Sequence, residues 1–468
     1  MTGTNNPGAI VPTTGINGVD ALTLTKWTET TVYYSFSANT SNYGSYPASP
    51  NRVGELSTFS PVTAATKNAA NFALDGLWAG SKGFSVEGFT NLNVVLQAAP
   101  SSGLSPSHIR YGQTAMTGSS EGGYTNLPGT ALSSANPTQI RNGDIWLNDG
   151  MYTDVRPGTV AWYSVLHETG HALGLKHTWE VYSSISGHPA LVQKYDGMEF
   201  TVMTYSSFPG ENALSVGGNG QFDYPQTFMM FDILALQYTY GADFTTNNTN
   251  TIYKWNPSNG DTYVNGQIAI DAPTNKIFAT IWDGGGIDTY DFSAYTTGLK
   301  IDLRPGGASV LSTTQLANLG SGHVANGNVY NALQYKGDAK SLIENAKGGA
   351  GGDSMIGNQA ANVLYGNGGS DAFNGLGGND IYVGGAGSDS FIFVGSGGGR
   401  DTAYDFDSSS AGDVVYLKGS TTLHNYAEVK AHLFQVGSDV ELRDTDGDIL
   451  VLKNTTLAQL DASDFYFG

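Results

Sequence analysis

Five successive nine-residue units decide how the second half of the chain is read: 348-GGAGGDSMI-356, 357-GNQAANVLY-365, 366-GNGGSDAFN-374, 375-GLGGNDIYV-383 and 384-GGAGSDSFI-392. The sixth place is Asp353, Asp371, Asp380 or Asp389 in four of them and Asn362 in the other, while the eighth is always apolar: Met355, Leu364, Phe373, Tyr382 and Phe391. A flexible glycine-rich linker has no reason to keep a nine-residue apolar period, whereas the calcium-binding nonapeptide of a parallel β-roll requires one. Glycines such as Gly349, Gly351, Gly369, Gly378 and Gly387 permit tight turns and close approach of carbonyls, Asp supplies ligand oxygens, and the apolar residue points into the core. Successive units of such a roll face opposite sides, so ions sit between units n and n+2. One side then aligns Asp353, Asp371 and Asp389, and the other aligns Glu344, Asn362 and Asp380. The unbroken aspartate column is expected to bind calcium more tightly than the one interrupted by Asn362. An earlier unit, 283-DGGGIDTYD-291, repeats the form around Asp288.

Outside this region the chain is ordinary globular sequence. Its 468 residues suffice for two or three domains, and 63 glycines against a 40% hydrophobic content mark a local excess rather than disorder. A formal net charge of −20 argues against nucleic acid and anionic membrane as partners, because both are held by clustered Lys and Arg. The chain has no cysteine, which excludes disulfides, thiolate metal sites and a thiol nucleophile. MTGTNNPGAIVPTTG at the start has neither a basic flank nor an apolar run, so no Sec-type leader is expected there. No apolar run is long enough to suggest membrane insertion.

Residues 1–25, rich in Thr, Gly, Asn and Pro, are expected to form a weakly ordered arm and a candidate pro-segment. Beyond them, 31-TVYYSFS-37, 108-HIRYG-112 and 143-GDIWLND-149 read as strands, and 61-PVTAATKNAANFALDGLW-78, about 158–175 and 226-QTFMMFDILALQYTYG-241 as helices. The polar 242-ADFTTNNTNTIY-253 then places a boundary between a mixed α and β domain over 26–243 and an all-β domain over 244–468. Near the end, 444-DTDGD-448 lies between two apolar runs and reads as a hairpin turn rather than an ion site.

Three of the eight histidines fall in 166-LHETGHALGLKHTW-179. His167 and His171 are four apart and so share one face of a helix, from which both imidazoles reach a single Zn²⁺. Gly174 can end that helix in a left-handed conformation and turn the chain back, letting His177 supply a third ligand. Three neutral ligands leave an open position for a water whose pKa falls toward ~7. Glu168 adjoins the first ligand, where a carboxylate can take a proton from that water. A bare HExxH could be a polar helix face; the added Gly174 and His177 favour catalysis.

With 167-HETGHALGLKH-177 and 202-VMTYSS-207 the chain resembles the metzincin metalloproteases, Met203 matching their Met-turn. A metzincin followed by a nonapeptide roll resembles the serralysins, as do the helix ending YGAD, 281-IWDGGGIDTYDFS-293 and 343-IENAKGGAG-351. The resemblance implies an α+β zinc metalloprotease domain followed by a parallel β-roll/β-sandwich domain, in a secreted endopeptidase of broad specificity. It implies one catalytic Zn²⁺ and several structural Ca²⁺. It also implies that Tyr205 is an extra zinc ligand at rest, which swings away to hydrogen-bond the oxyanion of the tetrahedral intermediate. The implied partners are protein and peptide substrates, a type I secretion apparatus that reads the C-terminus, and a proteinaceous inhibitor, with the chain itself a monomer. Peptide would add a strand to the edge above the zinc helix, for which 143–149 is the candidate. Thr178 departs from the usual proline after the third histidine and is followed by Trp179 and Glu180. The alternative function is calcium-dependent surface adhesion with a vestigial zinc site.

Overall fold

Alternating strands of the N-terminal half assemble into one sheet of five: β1 (Thr31–Phe36), β2 (Asn93–Leu96), β3 (Ile109–Thr114), β4 (Gly123–Thr125) and β5 (Asp144–Asn148), in the order β2-β1-β3-β5-β4. The computed structural model describes residues 9–43, 55–76, 81–116, 122–128, 142–182, 185–211, 217–394, 397–409, 412–420 and 422–468. β1, β2, β3 and β5 run parallel, and β4 closes one side antiparallel to β5. This corrects the expectation that 143–149 is the edge: β5 is flanked on both sides, all five of its residues are buried, and the half-buried β4 is the edge. The run DIWL carries enough apolar bulk for an interior strand, which explains its burial and should have argued against an edge.

Helices α1 (Ala64–Leu74) and α2 (Val160–Ala172) begin at Thr63 and Thr159, whose hydroxyls accept from Thr66 N and Trp162 N. Such caps satisfy backbone donors that the first turn leaves free. Phe72 of α1 packs on Trp162 of α2 with ring centroids 5.0 Å apart. Tyr111 of β3 shares a 2.7 Å hydrogen bond with Thr169, which ties α2 to the sheet. A further helix, α3 (Met230–Tyr240), ends at Gly241 with φ of 86°. Residues 9–25 are not a loose arm. Ala9–Ile10 pair with Thr25–Lys26, and Val19, Ala21, Leu22 and Leu24 are buried, so apolar side chains anchor a segment whose overall composition is turn-like.

From Ile252 onward the regular structure is mostly short strands, with one α-helix at Tyr426–Ala431 among the described residues. One six-stranded sheet stacks Lys300–Asp302, Ser354–Ile356, Ala372–Asn374, Ser390–Val394, Val414–Lys418 and Phe465–Phe467, every pair parallel. The opposing sheet includes Thr289–Asp291, Asn345–Lys347, Val363–Tyr365, Ile381–Val383, Arg400–Ala403 and Ile449–Leu452, again parallel. Consecutive nonapeptides therefore alternate between sheets, as a roll demands. Met355, Leu364, Phe373, Tyr382 and Phe391 all point into the space between them and are at most 1% exposed. Each such burial contributes about 1.5–3 kcal/mol, so the apolar period stabilises the roll independently of any ion. Asp439–Arg443 and Ile449–Leu452 form the expected hairpin across 444–448.

The two halves are joined by polar contacts. Gln226 exchanges hydrogen bonds with Phe278, and Thr280 N donates to Thr227 Oγ1 at 2.9 Å. Glu199 accepts from Asn326 N and from the Tyr330 hydroxyl.

Candidate metal centre and active site

Helix α2 carries His167 and His171 on one face, and the turn at Gly174 brings His177 back over them. Their Nε2 atoms form a near-equilateral triangle with sides of 3.2, 3.1 and 3.1 Å. Two ligands on a tetrahedral ion at ~2.0–2.1 Å lie about 3.3 Å apart, so this triangle has the size that zinc requires. Among the described residues these three are the one group of three or more His, Asp and Glu side chains whose ligand atoms all lie within 4.8 Å of one another.

The remaining ring nitrogens set the tautomers. His167 Nδ1 lies 2.7 Å from Val202 O and His171 Nδ1 2.7 Å from Leu175 O, so each ring donates there and leaves Nε2 as a lone pair. Burial, reinforced by the neighbouring imidazoles, pushes both pKa values well below the ordinary histidine range, which keeps the ligands neutral. The Nδ1 of His177 instead lies 3.2 Å from Glu180 Oε1.

Gly174 adopts φ of 101°, and a Cβ there would lie 1.7 Å from Thr25 O. The turn that delivers His177 thus needs glycine for both conformation and space. Thr178, where the resemblance would have proline, uses its N–H to reach Met203 O at 3.4 Å, a contact proline could not make. Met203 is fully buried, and a Cβ on Gly170 would lie 2.6 Å from its Sδ, so it packs directly against α2.

Asp232, at the start of α3, holds this turn. Its carboxylate accepts from Thr201 Oγ1, from Val202 N at 2.7 Å and from Met229 N at 2.9 Å. Burial pushes its pKa up to about 7, opposed by those three hydrogen bonds. Sequence reading missed Asp232; its acidic side chain in the first turn of a recognisable helix was the available signal.

Glu168 leaves α2 toward the edge strand, where Thr125 Oγ1 donates to its Oε2 at 2.7 Å. It is 5% exposed, so this hydrogen bond fixes a carboxylate in a sheltered place. Nothing in the sequence marked Thr125 as its partner. The ring of Tyr205 lies 5.0 Å from that of His177 and 5.8 Å from that of His167. Of the histidines outside the cluster, His108 accepts from Tyr33 N, and His323 stacks on Phe208.

In the roll, each column is linked from backbone N–H to carboxylate. Asp353 N donates to Asp371 Oδ1, Asp371 N to Asp389 Oδ1, and Asp389 N to Asp413 Oδ1, all at 2.7–2.8 Å. On the other side Asp288 N donates to Glu344 Oε2, Asn362 N to Asp380 Oδ1 and Asp380 N to Asp401 Oδ1. Asp288 Oδ2, Asp371 Oδ2 and Asp380 Oδ2 are buried with no hydrogen-bond donor, an arrangement suited to a hard cation. Asn362 differs, since its Nδ2 donates to Glu344 O and its Oδ1 accepts from Asn358 N. The glycines named above sit where turns stack backbone on backbone. Cβ atoms on Gly349, Gly351, Gly369, Gly378 and Gly387 would all lie 2.5 Å or less from main-chain atoms. Asp401, Asp413 and Asp448 were not foreseen; the first two extend the columns, and Asp448 accepts from Gly399 N while its Oδ2 has no donor.

Residues 242–445 match the family model described as Peptidase M10 serralysin C terminal. The chain is 35% identical over 323 residues to metallopeptidase AprA of Pseudomonas marginalis, covering 67% of this chain and 61% of that protein. It is 33% identical over 231 residues to metalloprotease AprA of Pseudomonas entomophila (47% and 42%), and 32% over 228 residues to serralysin of Proteus mirabilis (48% and 41%). The chain thus spans between 41% and 61% of the length of these curated relatives. No helix among the described residues is long and apolar enough to cross a membrane. Residues 242–445 thus match the serralysin C-terminal family, and the curated proteins the chain resembles are metalloproteases and a serralysin.

Proposed function

We propose that this chain is a secreted zinc-dependent endopeptidase of broad specificity, with a metzincin catalytic domain and a calcium-stabilised β-roll. The observation that carries the reading is the triangle of Nε2 atoms on His167, His171 and His177, with Glu168 projecting from the same helix. These histidines would hold the metal, with Tyr205 as an additional ligand at rest. Bound zinc would supply a Lewis acid that polarises the scissile carbonyl and lowers the pKa of water at its open position. Glu168, fixed by Thr125, takes the proton of the attacking water and delivers it to the leaving amine. Tyr205 donates its phenolic hydrogen to the developing oxyanion.

Substrate adds as a strand along β4, the edge that also carries Thr125. Main-chain pairing is tolerant of sequence, which supports cleavage of many unfolded or loosely folded proteins. Calcium fills the carboxylate columns of the roll, more tightly along Asp353, Asp371 and Asp389 than beside Asn362, whose amide is already occupied by protein groups. Export through a type I apparatus and control by a proteinaceous inhibitor complete the reading.

The test is casein hydrolysis by calcium-loaded wild type, wild type with a zinc chelator, and Glu168→Gln, with zinc measured on each. Chelation should abolish activity, and Glu168→Gln should lower kcat by about 10²–10⁴-fold with zinc retained. A folded, zinc-loaded wild type that cleaves neither casein nor unstructured peptides would favour adhesion instead.

A further inference from the structure

A ring that is to bind a metal needs something to orient it, and the three histidines are not treated alike. His167 and His171 sit on α2, and each has a backbone carbonyl at 2.7 Å from Nδ1. His177 stands beyond the helix end with its side chain 18% exposed. Its partner is a carboxylate three residues later in the same loop. Glu180 Oε1 lies 3.2 Å from His177 Nδ1, and Oε2 accepts from His177 N at 3.1 Å. One side chain therefore holds both the ring and the backbone of a single residue.

Glu180 is itself braced. The Tyr182 hydroxyl donates to Oε2 at 3.3 Å. Lys176 Nζ, fully buried, donates to the carbonyls of Glu180, Ala21 and Pro189. On its other face His177 stacks on Trp179 with centroids 4.5 Å apart and planes 10° from parallel, and Trp179 also meets Tyr205 at 4.6 Å.

Resting on the reading that these histidines bind zinc, we infer that Glu180 is the positioning residue of the third ligand, fixing the tautomer and orientation of His177 through contacts to both its ring and its backbone. An anionic partner on Nδ1 makes Nε2 a stronger donor than a carbonyl partner does, so the ligand least confined by the helix receives the strongest orienting group. Outer carboxylates of this kind typically govern metal affinity by about 10–100-fold.

The experiment measures zinc affinity of the calcium-loaded full chain by competition with a chromophoric chelator, for wild type, Glu180→Gln, Glu180→Ala and His177→Ala. Visible absorption of the Co²⁺-substituted proteins is recorded alongside. Both Glu180 variants should bind zinc about 10–100-fold more weakly, glutamine at the lower end because it keeps an acceptor, with the cobalt spectrum altered in the same order. If the alanine variant fails to fold, the isosteric glutamine variant decides. Either folded variant with wild-type zinc affinity and cobalt spectrum overturns the inference. Failure of the underlying zinc reading shows separately: wild type would take up no stoichiometric zinc, or His177→Ala would bind as tightly as wild type.

Discussion

At the scale of single residues, the spacing from His167 to His177 could be read directly because helical geometry alone puts i and i+4 on one face. Gly174 was legible for the same reason, and the structure adds the cause of its constraint. Its carbonyl accepts from both Leu24 N and Thr25 N, and its missing Cβ makes room for Thr25 O. The turn is therefore held by a segment distant in sequence. Gly174→Ala must strain a left-handed backbone, a cost of about 1–3 kcal/mol, and also displace Thr25. It should lower stability by at least that amount in thermal unfolding and weaken zinc binding, since His177 moves with the turn. A variant with wild-type stability and zinc affinity would contradict this account. Glu180, Thr125 and Asp232 escaped sequence reading because an orienting partner has no fixed spacing from what it orients. Thr125 reaches Glu168 across 43 residues, and Asp232 reaches Val202 across 30.

Among the elements, strands with a nine-residue repeat were readable and the N-terminal sheet was only partly so. The repeat fixes register because partners recur 18 residues apart, as Asp353 with Asp371 and Asp371 with Asp389. Where the interval lengthens to 21 and 24 residues, at Asp401 and Asp413, the period no longer reports the column although the column continues. The N-terminal sheet has no repeat, and β4 is a three-residue strand whose antiparallel pairing is set by tertiary contacts, hence the misplaced edge. Its interior contains a feature that composition does not suggest. Arg110 of β3 and Asp144 of β5 are directly paired in register and form a doubly hydrogen-bonded ion pair at 2.6 and 2.8 Å, with both side chains fully buried. Removing one partner strands the other charge, so Asp144→Ala should destabilise the N-terminal half by about 3–5 kcal/mol in urea unfolding followed by tryptophan fluorescence. The double variant Arg110→Met, Asp144→Leu should recover much of that loss. Equal destabilisation by the single and double variants would show that packing, not the uncompensated charge, sets the cost.

Over the whole molecule, the roll concentrates buried carboxylates to an extent that couples its stability to pH and, on the calcium reading proposed above, to calcium. In the calcium-free protein, burial is the largest influence on each and raises its pKa: Asp353, Asp401 and Asp413 to about 6, and Asp371, Asp380 and Glu344 to about 7. The folded roll then binds protons more tightly than the unfolded chain, whose aspartates titrate near 3.8. The stabilisation from protonation is fully present below that lower value and is lost as pH rises through the folded values, because the unfolded state releases its protons first. Calcium bound as proposed would reverse the dependence, since it would bind only the deprotonated ligands and its binding free energy would add to folding. Denaturant unfolding in chelator should therefore show roll stability falling between about pH 4 and pH 7, while in millimolar calcium it should rise over the same interval. The two curves diverge most at neutral pH, where calcium entry would convert a self-repelling roll into a rigid one. Parallel curves, or a calcium-free roll whose stability is flat across this range, would mean that the carboxylate columns do not control folding and that the apolar period alone sustains it.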